Sequence, residues 1–235
     1  MSDEKIDVRY KKLGIFVRTP VPGEVKTRLA PPLTPLEACE LYRAFLADLF
    51  VRLAKLKKVS STVFYTGSDE GALEGLLPAR ALLVRQDGDS LGERLVNAFR
   101  DLIDTDGTPV CVIGSDSPDL PLAYIKRAFI KLKHKDVVLG PTLDGGYYLV
   151  GLKKSVPEIF QDITWGGTDV LRDTLRRVDR LGLSCGVLPP WYDVDDTESL
   201  SLLETMLLAR KIERGDRLHR VERVIEAIRS NAHKR

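Results

Sequence analysis

The stretch Pro109-Val-Cys-Val-Ile-Gly-Ser-Asp116 is a short apolar run that ends in a glycine and two polar residues. A run of this length, rich in β-branched residues and bounded by turn residues, predicts a strand buried on both faces. Strands are predicted at Leu13–Val17, Ser61–Tyr65, Ala81–Val84, Pro109–Ile113, Val137–Leu139, Tyr147–Gly151 and Ser184–Leu188. Stretches of helical period separate most of them. The alternation predicts an α/β fold with a mostly parallel sheet covered by helices on both faces.

Three helix starts carry capping signals. Thr34 precedes Pro35 and Glu37, Ser90 precedes Glu93, and Asp196 precedes a leucine-rich stretch. Each pattern places a side-chain acceptor where the first helical N–H groups lack partners. The carboxyl-terminal segment 197–229 predicts two helices broken near Gly215 and Asp216.

Length and charge limit the class of protein. A chain of 235 residues with 43% hydrophobic composition can bury one core, so a single domain spanning 1–235 is expected. The net charge of +2 and the interleaved acidic residues of the basic carboxyl-terminal helices indicate no nucleic-acid partner. Cys39, Cys111 and Cys185 stand singly in apolar surroundings, which predicts buried free thiols. With a charged amino terminus, Met1–Lys12, and no long apolar run, we expect no membrane association and a cytoplasmic protein.

The loop after the first strand is a candidate phosphate-binding loop. It contains the cations Arg18, Lys26 and Arg28, and Gly23 allows backbone N–H groups to approach a ligand closely. A solvated turn whose cations serve solubility explains the loop about equally well. A second candidate segment contains Gln86, Gly88 and Arg94 and opens the helix capped by Ser90, where unpaired N–H groups favour an anion.

Carboxylates follow two predicted strands. Asp116 and Asp119 come after the strand at 109–113, with Ser115 before them. Mg²⁺ or Mn²⁺ takes one or two carboxylates together with substrate phosphates, so Asp116 is a candidate metal ligand. Asp119 is predicted to be the N-cap of the next helix.

The second carboxylate-rich segment is Asp193-Val-Asp195-Asp196, which follows the last predicted strand. Alternation along an extended chain puts Asp193 and Asp195 on one side, and Asp196 suits the cap. Asp195 is the predicted partner of Asp116 on a shared ion, with Asp193 left open as the alternative.

The segment Asp144-Gly145-Gly146-Tyr147 joins two predicted strands. Turn chemistry alone explains a hairpin with this sequence, and that interpretation is slightly favoured. In the alternative, these four residues bind the acceptor substrate: the glycines admit it close to the backbone, Asp144 accepts hydrogen bonds and Tyr147 lines the pocket.

Four motifs together resemble a bacterial transferase family described as radical-SAM/selenodomain-associated. They are Val112-Ile-Gly-Ser-Asp-Ser-Pro-Asp-Leu, Asp144-Gly-Gly-Tyr-Tyr-Leu-Val-Gly-Leu, Trp165-Gly-Gly-Thr-Asp-Val-Leu and Asp193-Val-Asp. The resemblance covers nearly the whole chain. It implies the three-layer α/β/α fold of the GT-A, or nucleotide-diphospho-sugar transferase, superfamily, with a nucleotide site over the first strands and an acidic metal motif.

A more distant similarity links Val25-Lys-Thr-Arg-Leu-Ala30 and Asp193-Val-Asp to phospholactate guanylyltransferases, and the layout to molybdenum-cofactor guanylyltransferases. It implies that Lys26 and Arg28 contact a triphosphate and that Asp116 and Asp195 hold the metal. The first strand lacks the Gly-Gly start of the molybdenum-cofactor enzymes, and Asp144-Gly-Gly-Tyr-Tyr is not their acceptor-site signature. The identity of the acceptor is therefore open.

These residues predict a metal-dependent enzyme that uses a nucleotide donor, with Lys26, Arg28 and Asp116 as catalytic residues. Cations beside the outer phosphates favour nucleotidyl transfer from a nucleoside triphosphate to a small phosphorylated acceptor, since they stabilise departing pyrophosphate. Glycosyl transfer from a nucleotide sugar is the close alternative. A nucleotide-binding regulator without turnover is the alternative from another class.

Overall fold

The computed structural model describes residues 11–77, 81–103, 107–213 and 215–232, which form a seven-stranded sheet with six α-helices. Most of the charged amino terminus, Met1–Lys12, lies outside the described residues. The strands are β1 (Lys11–Arg18), β2 (Val59–Thr66), β3 (Leu82–Arg85), β4 (Val110–Ile113), β5 (Val137–Pro141), β6 (Tyr147–Leu152) and β7 (Cys185–Val187). All seven predicted strands are confirmed, with ends displaced by no more than two residues.

Helices connect most of the strands. They are α1 (Pro35–Leu53), α2 (Leu91–Leu102), α3 (Leu122–Lys131), α4 (Val170–Arg180), α5 (Thr197–Ile212) and α6 (His219–Ala232). Short 3₁₀ turns lie at Thr27–Leu29, Glu70–Leu73 and Pro157–Phe160. The predicted pair of carboxyl-terminal helices, with its break near Gly215, is confirmed. In the described part of the chain, no helix is long and apolar enough to cross a membrane.

The sheet order is β3-β2-β1-β4-β6-β5-β7. Neighbouring strands pair in parallel except where β6 lies between β4 and β5, because a hairpin turn reverses the chain between β5 and β6. The parallel strands therefore end at one edge of the sheet. Open α/β sheets bind ligands at that edge, where the connecting loops gather.

Alternation along the strands divides the core into two layers. In β4, Cys111 and Ile113 face a cluster that includes side chains of α1, α3, α5 and α6. Val110 and Val112 face the opposite cluster, with α2 and α4. This period of two, with helices on both faces, gives the α/β/α arrangement and confirms the predicted fold class.

The three predicted capping residues are confirmed. Thr34, Ser90 and Asp196 each accept a hydrogen bond from the backbone N–H three residues later. The predicted N-cap role of Asp119 is wrong, since α3 begins at Leu122 after Pro121.

Asp119 is instead a fully buried acceptor. Its carboxylate accepts from Trp191 Nε1 at 3.0 Å, the Tyr192 hydroxyl at 2.9 Å and Arg210 Nη2 at 3.2 Å. These three donors come from another part of the chain, and they bind the Asp119 carboxylate in place of the N–H groups of a helix terminus. No pattern in the sequence around Asp119 indicates them. The three cysteines are free thiols, as predicted. Cys39 and Cys111 are buried, whereas the predicted burial is wrong for Cys185, which is partly exposed.

Arg52, near the end of α1, ties the helix to the loop after β4. It is 3% exposed and donates to the carbonyls of Pro118 and Leu120 at 2.6 and 2.8 Å. Its Nε donates to Asp216 at 2.9 Å in the connection between α5 and α6. Lys55 contacts the same carboxylate but is 54% exposed. Arg52 therefore supports the loop that contains Asp116, whereas Lys55 is a surface partner.

Arg52→Met is expected to lower the free energy of unfolding by about 3 kcal/mol, because it leaves the buried carbonyls of Pro118 and Leu120 without their donor and removes one of two cations that contact Asp216. Lys55→Met is the matched control and should cost less than about 1 kcal/mol. Urea unfolding followed by circular dichroism measures both. Equal losses would show that burial does not distinguish the two contacts.

Candidate functional site

A cleft of about 510 Å³ lies at the edge of the sheet where the parallel strands end. Its walls come from the loop between β1 and α1, the segment between β3 and α2, the loop after β4 and the segment that leads into α5. The sequence separates these segments widely, and the strand order brings them together. The cleft contains the predicted metal and phosphate residues on one surface.

The loops that contain Asp116 and Asp195 converge in this cleft. The backbone N–H of Val194 donates to the carbonyl of Asp116 at 2.9 Å, which holds the two segments side by side. The Nζ of Lys26 donates to Oδ1 of Asp116 and, at 2.8 Å, to Oδ1 of Asp195. One ammonium group thus bridges both carboxylates.

Two aromatic rings lie beside the ammonium group of Lys26. Its Nζ lies 5.6 Å from the ring centre of Tyr42 and 5.8 Å from that of Phe45, which favours a cation at this position. Burial by itself lowers the pKa of Lys26, but the adjacent carboxylates Asp116 and Asp195 outweigh it and hold that pKa above its ordinary value. The ammonium is therefore charged at neutral pH.

The two carboxylates fit a hard divalent cation that the substrate helps to bind. Their side chains are 45% and 40% exposed, whereas that of Lys26 is 3% exposed. In the ranges described, His, Cys, Asp and Glu residues form no group of three or more that could hold a metal. The protein can supply two carboxylate ligands here, and phosphate oxygens or water must supply the rest. Mg²⁺ and Mn²⁺ bind in this manner beside phosphates.

Asp193 lies in the same cleft but has a different partner. Its Oδ1 accepts from the hydroxyl of Ser117 at 2.5 Å. Burial, assisted by the charge of Asp116, raises the pKa of Asp193 to about 7, although the Ser117 hydrogen bond opposes the shift. Asp195, not Asp193, shares a cation with Asp116, which favours Asp195 as the second metal ligand.

Most of the predicted nucleotide-binding residues line the cleft. They are Arg18, Lys26, Arg28, Gln86, Arg94 and Ser115. Arg18 and Arg28 are exposed, and Nε of Arg94 donates to the carbonyl of Gly88 at 2.9 Å. The amide of Gln86 donates to two strand carbonyls, at 3.0 and 3.3 Å, which fixes the end of β3.

Two predicted glycines do not line the cleft. Gly88 has φ +122°, and a Cβ there would lie 2.7 Å from that of Glu93, so close packing explains it. Gly23 has φ +82° and open space around it, so the turn conformation explains this residue.

The hairpin between β5 and β6 has the turn chemistry that its sequence predicts. Asp144 Oδ1 accepts from the Gly146 N–H at 3.1 Å and from the hydroxyl of Thr142. Gly145 has φ +95°, and a Cβ there would lie 1.9 Å from the carbonyl oxygen of Thr168. Asp144, Gly145 and Gly146 lie outside the cleft lining, whereas Tyr147 is part of it.

Tyr42 is a site residue that the sequence pattern does not reveal. Its hydroxyl accepts from the N–H of Arg18 at 3.1 Å and shares a 2.8 Å hydrogen bond with the hydroxyl of Ser115. It thereby links the ends of β1 and β4 beneath Lys26. In the sequence it is one more apolar-face residue of α1, and nothing there separates it from the core.

The comparisons with known proteins agree with this architecture. The family described as "Uncharacterized protein conserved in bacteria" (DUF2064) matches residues 49–167. Comparison with curated proteins gives no match. A crystal structure from Desulfovibrio desulfuricans G20, provisionally described as a nucleotide-diphospho-sugar transferase, is 33% identical, with a TM-score of 0.83 over 94% of this chain and 97% of that chain.

More distant structures share the fold alone. The CMP:2-keto-3-deoxy-manno-octonic acid synthetase complexed with CTP has a TM-score of 0.53 at 11% identity, over 85% of this chain and 99% of that one. The 4-diphosphocytidyl-2C-methyl-D-erythritol synthase of Anaerococcus prevotii DSM 20548 has a TM-score of 0.56 at 10% identity, over 88% of this chain and the whole of that one. The resemblance to the GT-A superfamily is thus confirmed, and the chain belongs to the DUF2064 family.

Proposed function

We propose that this protein is a metal-dependent nucleotidyltransferase that transfers a nucleotidyl group from a nucleoside triphosphate to a small phosphorylated acceptor. The observation that carries the proposal is the convergence of Asp116 and Asp195 on one cation in a cleft lined by three arginines. Two carboxylates suit Mg²⁺ or Mn²⁺, and arginines suit phosphate oxygens. The fold supports the same class, since both distant neighbours described above are synthetases or synthases of cytidylyl products by name.

The cations favour a triphosphate over a diphosphate donor. Arg18, Arg28 and Arg94 line the cleft together with Lys26. With one metal ion bound, the cleft therefore has more positive charge than a donor with two phosphates needs. Departing pyrophosphate carries more negative charge than a nucleoside diphosphate, and fixed cations stabilise it as it forms. Glycosyl transfer is the alternative, which the description of the Desulfovibrio desulfuricans relative favours.

In the proposed reaction, an oxygen of the acceptor phosphate attacks the α-phosphorus of the triphosphate in line. A bond forms from that oxygen to the α-phosphorus, and the bond to the bridging oxygen breaks, so pyrophosphate departs with the electron pair. The acceptor oxygen is already anionic, so no protein base is required. Asp116 and Asp195 would hold a divalent metal ion, which would supply charge neutralisation at the α-phosphate. The chain itself orients the two substrates and stabilises the leaving group through Arg28 and Lys26.

The acceptor is proposed to enter from the side of β6, where Tyr147 lines the cleft. The hairpin with Asp144, Gly145 and Gly146 borders this strand and is the proposed acceptor-binding segment. Its turn is rigid, because its own hydrogen bonds hold Asp144 in place. The backbone groups of this segment can therefore contact the acceptor without first having to become ordered.

Asp195→Asn is expected to abolish the gain in nucleoside triphosphate affinity that Mg²⁺ produces, a loss of at least about tenfold, since it removes one of two metal carboxylates. The matched control is Asp196→Asn at the adjacent position, where asparagine caps α5 as well as aspartate does and affinity should stay within about twofold. Titration calorimetry with Mg²⁺ and with a chelator measures the gain. If the chelator leaves the nucleotide affinity of the wild-type protein unchanged, the result would instead support a nucleotide-binding regulator.

Arg28→Met is expected to weaken the binding of a nucleoside triphosphate by roughly tenfold to a hundredfold and that of the matching nucleotide sugar by less than about threefold. Arg28 is the cleaner probe of the outer phosphates because it is exposed in the cleft, whereas Lys26 also pairs with two carboxylates.

Arg127→Met, on the exposed side of α3, serves as the control and should leave both affinities unchanged. The titrations need saturating Mg²⁺ and fixed ionic strength, since both alter phosphate binding. Equal losses for the two ligands would remove the preference for nucleotidyl transfer. A loss confined to the nucleotide sugar would favour the glycosyltransferase.

A further inference from the structure

Lys26 occupies the position that an ion bridging the Oδ1 atoms of Asp116 and Asp195 would take. Its Nζ donates to Oδ1 of each carboxylate. A divalent ion shared by the same oxygens must come within about 2.1 to 2.5 Å of them, which the ammonium prevents. The side chain and the metal are thus alternative cations for one pair of carboxylates.

We propose that Lys26 competes with the metal: it holds Asp116 and Asp195 in the free protein and leaves them when the metal binds, so that metal and nucleotide bind cooperatively. The competition itself concerns this chain and a divalent ion alone. Only the cooperativity rests on the proposed function, because a triphosphate offers the displaced ammonium a new anionic partner. The consequence is a site that binds metal weakly until the substrate arrives.

The exposure of the three groups supports exchange rather than a permanent ion pair. The carboxylates are 45% and 40% exposed to the cleft, so an incoming ion reaches them without unfolding the protein. The pair of Arg210 and Asp119 shows the contrast, since those side chains are 16% and 0% exposed. Both side chains of that pair are shielded from solvent, whereas in the pairs of Lys26 the carboxylates are exposed to solvent.

The chemistry of the lysine side chain suits an exchange of partners. The lysine stem has four rotatable bonds, and its ammonium is a point charge that does not require the fixed geometry of a guanidinium. Lys26 itself has a left-handed backbone, with φ +48°, and immediately precedes the 3₁₀ turn Thr27–Leu29. Arg28, in that turn, lies in the same cleft lining. A rotation of the Lys26 side chain toward Arg28 therefore brings it to the region proposed for the phosphates.

The small number of protein ligands explains why the nucleotide matters. Over the described ranges, no third His, Cys, Asp or Glu completes a metal-binding group with these carboxylates. A metal that arrives alone must displace Lys26 for two ligands, whereas one that arrives with phosphates gains further oxygens and frees a cation for them. Coupling of this kind is reciprocal, so each ligand raises the affinity for the other.

The test measures Mn²⁺ binding by electron paramagnetic resonance without nucleotide. Lys26→Met is expected to raise Mn²⁺ affinity by roughly tenfold to a hundredfold, because it removes a competitor that makes charge-assisted contacts. Lys26→Arg retains the charge and should bind Mn²⁺ like the wild type. Lys55→Met removes an ion-paired lysine that lies beyond the end of α1 and outside the cleft lining, and it should change nothing. Unchanged or weaker Mn²⁺ binding by Lys26→Met, or no binding by any variant, would overturn the proposal.

A second measurement on the wild-type protein does not depend on how the variants fold. An amine-modifying reagent, followed by peptide mass spectrometry, reports the accessibility of each lysine with and without saturating Mn²⁺. Modification of Lys26 should increase severalfold with Mn²⁺, while that of Lys55 stays constant. Lys26 that remains protected while Mn²⁺ is bound would contradict displacement. Neither measurement contains a nucleotide, so failure of the proposed transferase reaction leaves their outcome intact.

Discussion

A single ammonium group bridges two carboxylates that lie 90 and 169 positions from it in the sequence. Two carboxylates held close together repel each other, and the surrounding structure has to offset this repulsion. Lys26 offsets it directly, and the rings of Tyr42 and Phe45 stabilise the charge from below. The cleft can therefore keep Asp116 and Asp195 together before any ligand arrives.

The scaffold fixes these side chains through backbone contacts. The hydrogen bond from Val194 to Asp116 joins the two loops, and Arg52 holds the carbonyls that follow Asp116 against α1. Buried Asp119 accepts hydrogen bonds from Trp191 and Tyr192, just before the second acidic segment. Both acidic loops are thus attached to the core within a few residues of their functional carboxylates, which is what a preorganised site requires.

The functional proposals follow from the separate positions of acidic and basic side chains around the cleft. Carboxylates lie in the loop after β4 and in the segment after β7, cations lie on the loop after β1 and at the start of α2, and Tyr147 of β6 lines another side of the cleft. In the proposed function, the phosphate chain of the donor lies on the side of these cations and the acceptor on the side of β6. In the proposed competition, Lys26 is a counter-ion in the free protein and a phosphate partner in the complex.

The sequence by itself determined the strands, the capped helix starts and the fold class, because period, turn residues and caps are local properties. It also indicated that Asp116 and Asp195 belong together, since polar residues after parallel strands meet at one edge of the sheet. Only the tertiary structure decided that Lys26 lies between them, that Asp119 is buried among donors from a distant segment, and that Tyr42 supports the site. These contacts join residues far apart in the chain, and a side chain's partner is set by packing that no local pattern encodes.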